Sequence, residues 1–255
     1  MKQLVTVLTI ALGCSLLSCS NPRNSQAHLD SLQLVLSSHK VMLPNGWSLT
    51  VPGTSTPLGN FPMNLVVSPR GKYMAITHNG EGKQTIVLLN GADGRISDEI
   101  EIGKSWFGLV FNDKEDRLYA SGGNDNRILI YSIADGKLSK SDSIELGKPW
   151  PVKISPTGLA IDDQAGKLFI ATKEDSSLYT ADLGTKALTK LKLGSEAYAC
   201  VLSPDKKKIY VSLWGGNGVA VIDARQNTLI ARIAVGSHPN DMVLSRDGRT
   251  LYVAT

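Results

Sequence analysis

Phe61, Lys104 with Trp106, Lys148 with Trp150, Glu196 with Tyr198, and His238 with Asn240 all lie within four residues after a glycine, at equivalent points of the chain. Aromatic bodies beside cationic or amide tips suit three tasks: stacking a sugar or base, holding a phosphate, or seating a partner surface. The same rings could instead fill wedges between packed sheets, and the sequence leaves both open. Other chemistry-bearing residues point elsewhere. Cys200 sits in the apolar run Ala199-Cys200-Val201-Leu202 with no His or Asp beside it to generate a thiolate, so it is expected to be a small core residue. Asp162-Asp163 could be a carboxylate pair, but it occupies a turn position and is expected to be solvated. Asn124-Asp125-Asn126 follows Gly122-Gly123 and reads as turn chemistry rather than a cation site. Gly215-Gly216 reads as a hairpin, since no helix follows whose N-terminus could hold a phosphate.

No His-x-x-x-His, Cys-x-x-Cys or Asp-x-Asp-x-Asp-Gly pattern occurs, so no metal site is expected in this chain. Of the four histidines, His28 and His39 precede the repeats, leaving His78 at a strand end and His238 in a connection.

What must position the candidate residues is a repeat. An aliphatic residue followed by glycine recurs at Gly59, Gly103, Gly147, Gly194 and Gly236, separated by 44, 44, 47 and 42 residues. Each unit opens with an apolar run such as Leu65-Val66-Val67 or Leu109-Val110-Phe111, which must be covered on both faces. A turn follows, as in Ser68-Pro69-Arg70-Gly71 and Ser203-Pro204-Asp205-Lys206, then a strand with an aromatic such as Tyr119, Phe169 or Tyr252. A third apolar run and a fourth, more charged one complete the unit. Four strands growing more polar outward are the pattern of a β-propeller blade, and the fold class expected is all-β, a β-propeller of four-stranded antiparallel blades. Blades are expected at 60–103, 104–147, 148–194 and 195–236, with a partial one at 237–255. The final stretch Leu244 to Thr255 reads as a hairpin around Asp247-Gly248.

The first nineteen residues combine a basic start, an apolar run and small residues before Cys19, which reads as a secretory signal rather than a membrane span. Residues 20–42 read as a linker and 43–255 as the propeller. Lys and Arg exceed Asp and Glu by 27 to 23, dispersed along the chain, which argues against nucleic acid as a partner.

Two resemblances extend this reading. Leu16-Leu17-Ser18-Cys19 resembles the lipobox of bacterial lipoproteins, in which the cysteine is lipidated; Ala11-Leu12-Gly13-Cys14 is a weaker rival. That resemblance implies a cell-envelope location, on the periplasmic side of the outer membrane, with contact to membrane through the lipid alone. VGSHPNDMVLSRDGRTLYVAT, ending at Thr255, resembles the YVTN-type repeat of YncE-like propellers. More narrowly, LPNGWSLT, SWFGLVF, SGGNDNRIL, KPWPVKISPTGLAIDD and VSLWGGN together resemble envelope proteins in which such a propeller precedes an alkaline-phosphatase-like phosphoesterase domain.

The second resemblance implies about seven blades, whereas 196 residues follow Gly59; seven units of this length need roughly 310. The remaining blades are therefore expected beyond Thr255, with Trp47 to Gly59 supplying a strand that closes the ring. It also implies a binding or scaffold role without catalysis or cofactor in this chain, with divalent metals in the downstream domain. The expected partner is that domain, another protein, or a small polar or phosphorylated ligand. A propeller enzyme of lactonase or haem-d1 type would need convergent His, Arg and Glu or an axial His. A stand-alone surface scaffold is the third alternative.

Overall fold

A computed structural model describes residues 40–50, 53 and 55–255. The signal segment with Cys19 and Cys14, most of the linker, His28 and His39 lie outside the described residues. Two compact units divide at Pro57/Leu58. In the first, β1 (Lys40–Met42) and β2 (Ser48–Thr50) form an antiparallel hairpin in which Val41 faces Leu49 in register. Its turn is closed by the Leu43 amide donating to the Trp47 carbonyl and by Gly46 at φ +81, a left-handed backbone that glycine adopts without a Cβ clash.

The second unit, Leu58–Thr255, is a β-propeller arc of four complete blades and a two-stranded fifth. Blade one holds β3 (Pro62–Val67), β4 (Tyr73–His78), β5 (Thr85–Asn90) and β6 (Ile96–Glu101). Blade two holds β7 (Leu109–Phe111), β8 (Arg117–Ser121), β9 (Arg127–Ala134) and β10 (Lys137–Glu145). Blade three holds β11 (Pro156–Asp162), β12 (Lys167–Thr172), β13 (Ser177–Asp182) and β14 (Leu188–Lys192). Blade four holds β15 (Ala197–Leu202), β16 (Lys208–Leu213), β17 (Gly218–Asp223) and β18 (Thr228–Ala234). The fifth sheet is β19 (Met242–Leu244) and β20 (Leu251–Val253). Each complete blade is an antiparallel meander in chain order.

Burial follows the polarity gradient. β11 is buried at every position, whereas β18 is exposed at every position. Neighbouring sheets share apolar wedges: Leu88 and Tyr73 pack with Leu109 and Phe111 between blades one and two, and Phe169 and Leu178 with Val211 and Ile222 between blades three and four. Each such side chain removed from water contributes roughly 1.5–3 kcal/mol, so the wedges dominate cohesion of the arc.

The turn between first and second strands repeats one chemistry. The Ser68, Ser203 and Ser245 hydroxyls accept from the amides of Tyr73, Lys208 and Thr250, and Asn112 Oδ1 accepts from Arg117 in the same place. A serine or asparagine oxygen five residues ahead of the returning amide thus fixes the hairpin register. The terminal hairpin follows this pattern, with Gly248 at φ +68.

Where blades come closest, glycine is required. A Cβ on Gly108 would stand 2.0 Å from the Thr157 carbonyl, and one on Gly158 2.6 Å from the Ala199 Cα, both backbone contacts that cannot yield. Asp162, expected to be solvated, is buried, because β11 runs on into the turn and its carboxylate accepts from the Ala165 amide.

Candidate functional site

One end of the arc gathers the hairpins between second and third strands and the connections that follow each repeat glycine. Hydrogen bonds link these two sets of loops: Asn79 Nδ2 donates to the Ser105 carbonyl, and the Trp150 amide to the Asn124 carbonyl. The candidate residues lie in the connections, but they do not form one uniform ring. Phe61 and Trp150 are 64% and 61% exposed, and Lys104, Lys148, His238 and Asn240 are exposed as well. Trp106, Glu196 and Tyr198 are half-buried. The Tyr198 ring packs on Phe107 at 5.1 Å, and burial pushes its hydroxyl upward in pKa, with the Asp241 charge adding to the effect.

The inner strands line an open cavity of about 190 Å³, to which Asn64, Phe107, Gly158, Ala199 and Asp241 contribute from successive blades. Hydroxyls and amides tie the blades together here: Ser121 Oγ donates to the Pro156 carbonyl, Thr157 Oγ1 lies within hydrogen-bonding distance of the Ala171 and Ala197 carbonyls, and Ser212 Oγ donates to the Asn240 carbonyl.

A more open aromatic and cationic cluster spans blades three to five. Lys173 Nζ lies 4.4 Å from the Trp214 ring centroid, and His238 meets the same ring edge-on at 4.7 Å. The Ser237 hydroxyl stands 2.6 Å from His238 Nδ1. Nearby in sequence, Lys153 Nζ lies 5.6 Å from the Trp150 ring. Trp214 and Lys173 were not among the residues singled out in the connections, since they belong to the facing hairpins. The available signal was their equivalent position, the residue following the second strand's end in blades three and four.

Other candidates take structural roles. Asn126 has φ +54, its amide donates to the carbonyls of Lys148 and Val152, and its Oδ1 accepts from Ser155, while Asp125 pairs with Arg127 at 2.8 Å. Gly215-Gly216 lies in a hairpin. Cys200 is buried against the Phe169 carbonyl, and burial pushes its thiol up to about 12, far from a reactive thiolate. His78 is buried with Nδ1 3.1 Å from Thr85 Oγ1, and burial lowers its pKa against the opposing pull of Glu99. Among the described residues no three His, Cys, Asp or Glu side chains converge as a metal site would require, and no helix is long and apolar enough to cross a membrane.

With this geometry the chain defines itself as a β-propeller protein. No protein-family model matches it. It is similar to an uncharacterized protein named YncE, at 25% identity over 178 residues in Salmonella typhimurium and 26% over 180 residues in Escherichia coli K12. Each match covers 69% of this chain and 49% of the relative, so the chain spans about half the length of the curated relatives it matches. These relatives support a YncE-like β-propeller family. Among solved structures, Kuenenia stuttgartiensis hydrazine synthase matches with a TM-score of 0.66 and 16% identity, over 80% of this chain and 58% of that one. The β-propeller domain of Myceliophteria thermophila Cps50 (Swd1) matches at 0.62 and 14%, over 78% and 63%. At such identities the likeness is one of fold.

Proposed function

We propose that this chain is the non-catalytic recognition propeller of a cell-envelope lipoprotein, and that its aromatic and cationic ledge seats a phosphorylated ligand or the phosphoesterase domain that acts on it. The observation that carries this reading is the cluster of Lys173, Trp214 and His238, which brings a cation and an edge-on imidazole to one indole ring. An indole supplies a flat contact and the ammonium a charge, the combination that takes an anionic group joined to an apolar or planar body. The motif set shared with phosphoesterase-linked propellers supports placing the catalytic domain elsewhere in the protein. The Leu16-to-Cys19 sequence supports anchoring through a lipid on Cys19.

p-Nitrophenyl phosphate tests binding and catalysis together, because it quenches indole fluorescence on binding and releases a coloured product on hydrolysis. The chain is expected to bind it without turnover, and Lys173→Ala, which keeps the reporting indole, to weaken binding about tenfold, the equivalent of about 1.4 kcal/mol. Hydrolysis by this chain, or binding unchanged in Lys173→Ala, would overturn the proposal. For the anchor, Cys19→Ser is expected to move the protein from the membrane to the soluble fraction and abolish labelling by a fatty-acid probe.

A further inference from the structure

His78 ends β4 on the face of blade one turned away from blade two. Strand alternation sends Tyr73 and Ala75 into the wedge shared with Leu109 and Phe111, and Met74, Ile76 and His78 to the opposite side. That side is open along β3, where Leu65 and Val67, paired with Ile76 and Met74, are exposed. His78 is nevertheless only 2% exposed. Its cover includes the strap Leu58 to Phe61 that leads into β3. Leu58 packs against the cluster of Ile76, Val87 and Leu89, and Gly59 lies so close to the imidazole that a Cβ there would stand 2.9 Å from Nδ1. The backbone amide of Asn79 fastens the strap by donating to the Phe61 carbonyl at 3.1 Å.

These surroundings suit a neutral ring and not a charged one. Nδ1 lies 3.1 Å from Thr85 Oγ1 on β5, and Nε2 is buried without a partner. Protonation puts an N–H on both ring nitrogens, so the charged ring would hold a buried donor at Nε2 with nothing to accept it. The strap and Thr85 carry no charge. From β6, Glu99 stands opposite Val87 and Glu101 opposite Thr85, and Glu101 is paired with Lys83 at 2.7 Å. Burial outweighs the pull of Glu99 on the ring, and the pKa of His78 is lowered.

We propose that His78 is a proton-operated latch: the neutral imidazole lets the strap close over it, and protonation favours a state in which Leu58 to Phe61 lift, the ring is hydrated and Ile76, Val87 and Leu89 are uncovered. With the strap lifted, the ring protonates at the ordinary histidine value, about 6.5. Beneath the strap it protonates only at lower pH. Between those two values each pH unit of acidification favours the lifted state by up to about tenfold, and well above 6.5 the closure is independent of pH. The proposal does not rest on the cluster of Lys173, Trp214 and His238, which lies on other blades.

Amide hydrogen exchange on the whole chain tests it, each rate being divided by the intrinsic rate at that pH. The Asn79 backbone amide reports the strap, and the Leu193 amide, which donates to the Ser176 carbonyl in blade three, reports the arc as a whole. Protection of Asn79 is expected to fall at least about threefold from pH 7 to pH 5 with that of Leu193 unchanged, and in His78→Gln to be the same at both values. Flat protection of Asn79 in the natural chain would overturn the latch. So would a parallel loss at Leu193, which is acid unfolding of the arc, or an equal fall in His78→Gln, which assigns the effect to another group. Should His78→Gln not fold, the ring resonances of His78 in the natural chain decide instead: the latch requires them to titrate together with the loss of Asn79 protection, and titration without that loss overturns it.

Discussion

Tyr119, Phe169, Tyr210 and Tyr252 occupy the same place in successive repeats, facing Val110, Ala160, Val201 and Val243 across the first pair of strands. Their surroundings diverge along the arc. Tyr119 and Phe169 are each 1% exposed, Tyr210 is half-buried, and Tyr252 is 60% exposed. The local sequence and strand pairing are alike in all four, so the difference comes from what stands beside the sheet. Blades three and four supply full sheets to cover Tyr119 and Phe169, while the two-stranded fifth sheet covers Tyr210 only in part. At blade one, Leu65 and Val67 of β3 are likewise exposed, whereas their counterparts Leu109 and Phe111 are buried. A propeller blade thus acquires most of its stabilisation from its neighbours, and a repeat of given sequence is worth different amounts at different positions.

The sharpest break of this comparison is truncation of the aromatic. Phe169→Ala should lower unfolding free energy by about 3–5 kcal/mol, as for a fully buried ring, whereas Tyr252→Ala should change it by roughly 0.5 kcal/mol or less. Urea denaturation of both variants measures this; similar losses would show that position 252 is covered in solution.

A smaller effect is expected at a charged blade contact. Glu115 is buried at φ +62 and accepts from the Arg70 amide at 2.7 Å and its guanidinium at 3.2 Å, bridging blades one and two. Burial works to raise the Glu115 pKa, but hydrogen bonds from Ser68, Arg70 and Lys72 outweigh it, and the net shift is downward. A depressed carboxylate stabilises the fold fully above its unfolded pKa, near 4.3, and progressively less as pH falls through the lower folded value. Glu115→Gln should cost about 2 kcal/mol at neutral pH. Its deficit relative to the natural chain should shrink on acidification below the ordinary carboxylate range. A deficit constant down to the acid limit would mean that the carboxylate's charge contributes nothing.

The smallest effect on stability should come with a visible effect on association. Val243 and Tyr252 are paired on one exposed face of the fifth sheet, an apolar strip next to free strand edges that invites pairing with other chains. Val243→Lys with Tyr252→Lys should leave the melting temperature of residues 58–255 nearly unchanged while lowering their self-association in light scattering. Equal scattering from both proteins would assign any association to another surface.

The repeat itself was legible because each element announces its own register. Glycines 42 to 47 residues apart, serine-led turns and both-face apolar runs together require sheets stacked against one another. The connections after the glycines were legible as loops for the same reason. Their side-chain arrangement was not. Trp150 and Tyr198 lie at similar offsets from their glycines, yet one projects to solvent and the other packs on Phe107. Lys173 and Trp214 belong to different blades and meet only because the blades stand side by side.

The sequence by itself determined the strands, their turns and the stacking of one blade on the next, since period-2 patterning, turn oxygens and glycine spacing act over a few residues. It also determined that Cys200 is core material, which burial among Ala160, Phe169 and Val211 then makes inert. Tertiary structure alone decided which aromatics face solvent, which hydroxyls bridge blades, and why Thr77 is left without the partner that Ser121 and Ser212 find. Those outcomes depend on distances between segments far apart in the chain, such as Phe107 and Tyr198, which the packing of whole sheets sets and no local pattern encodes.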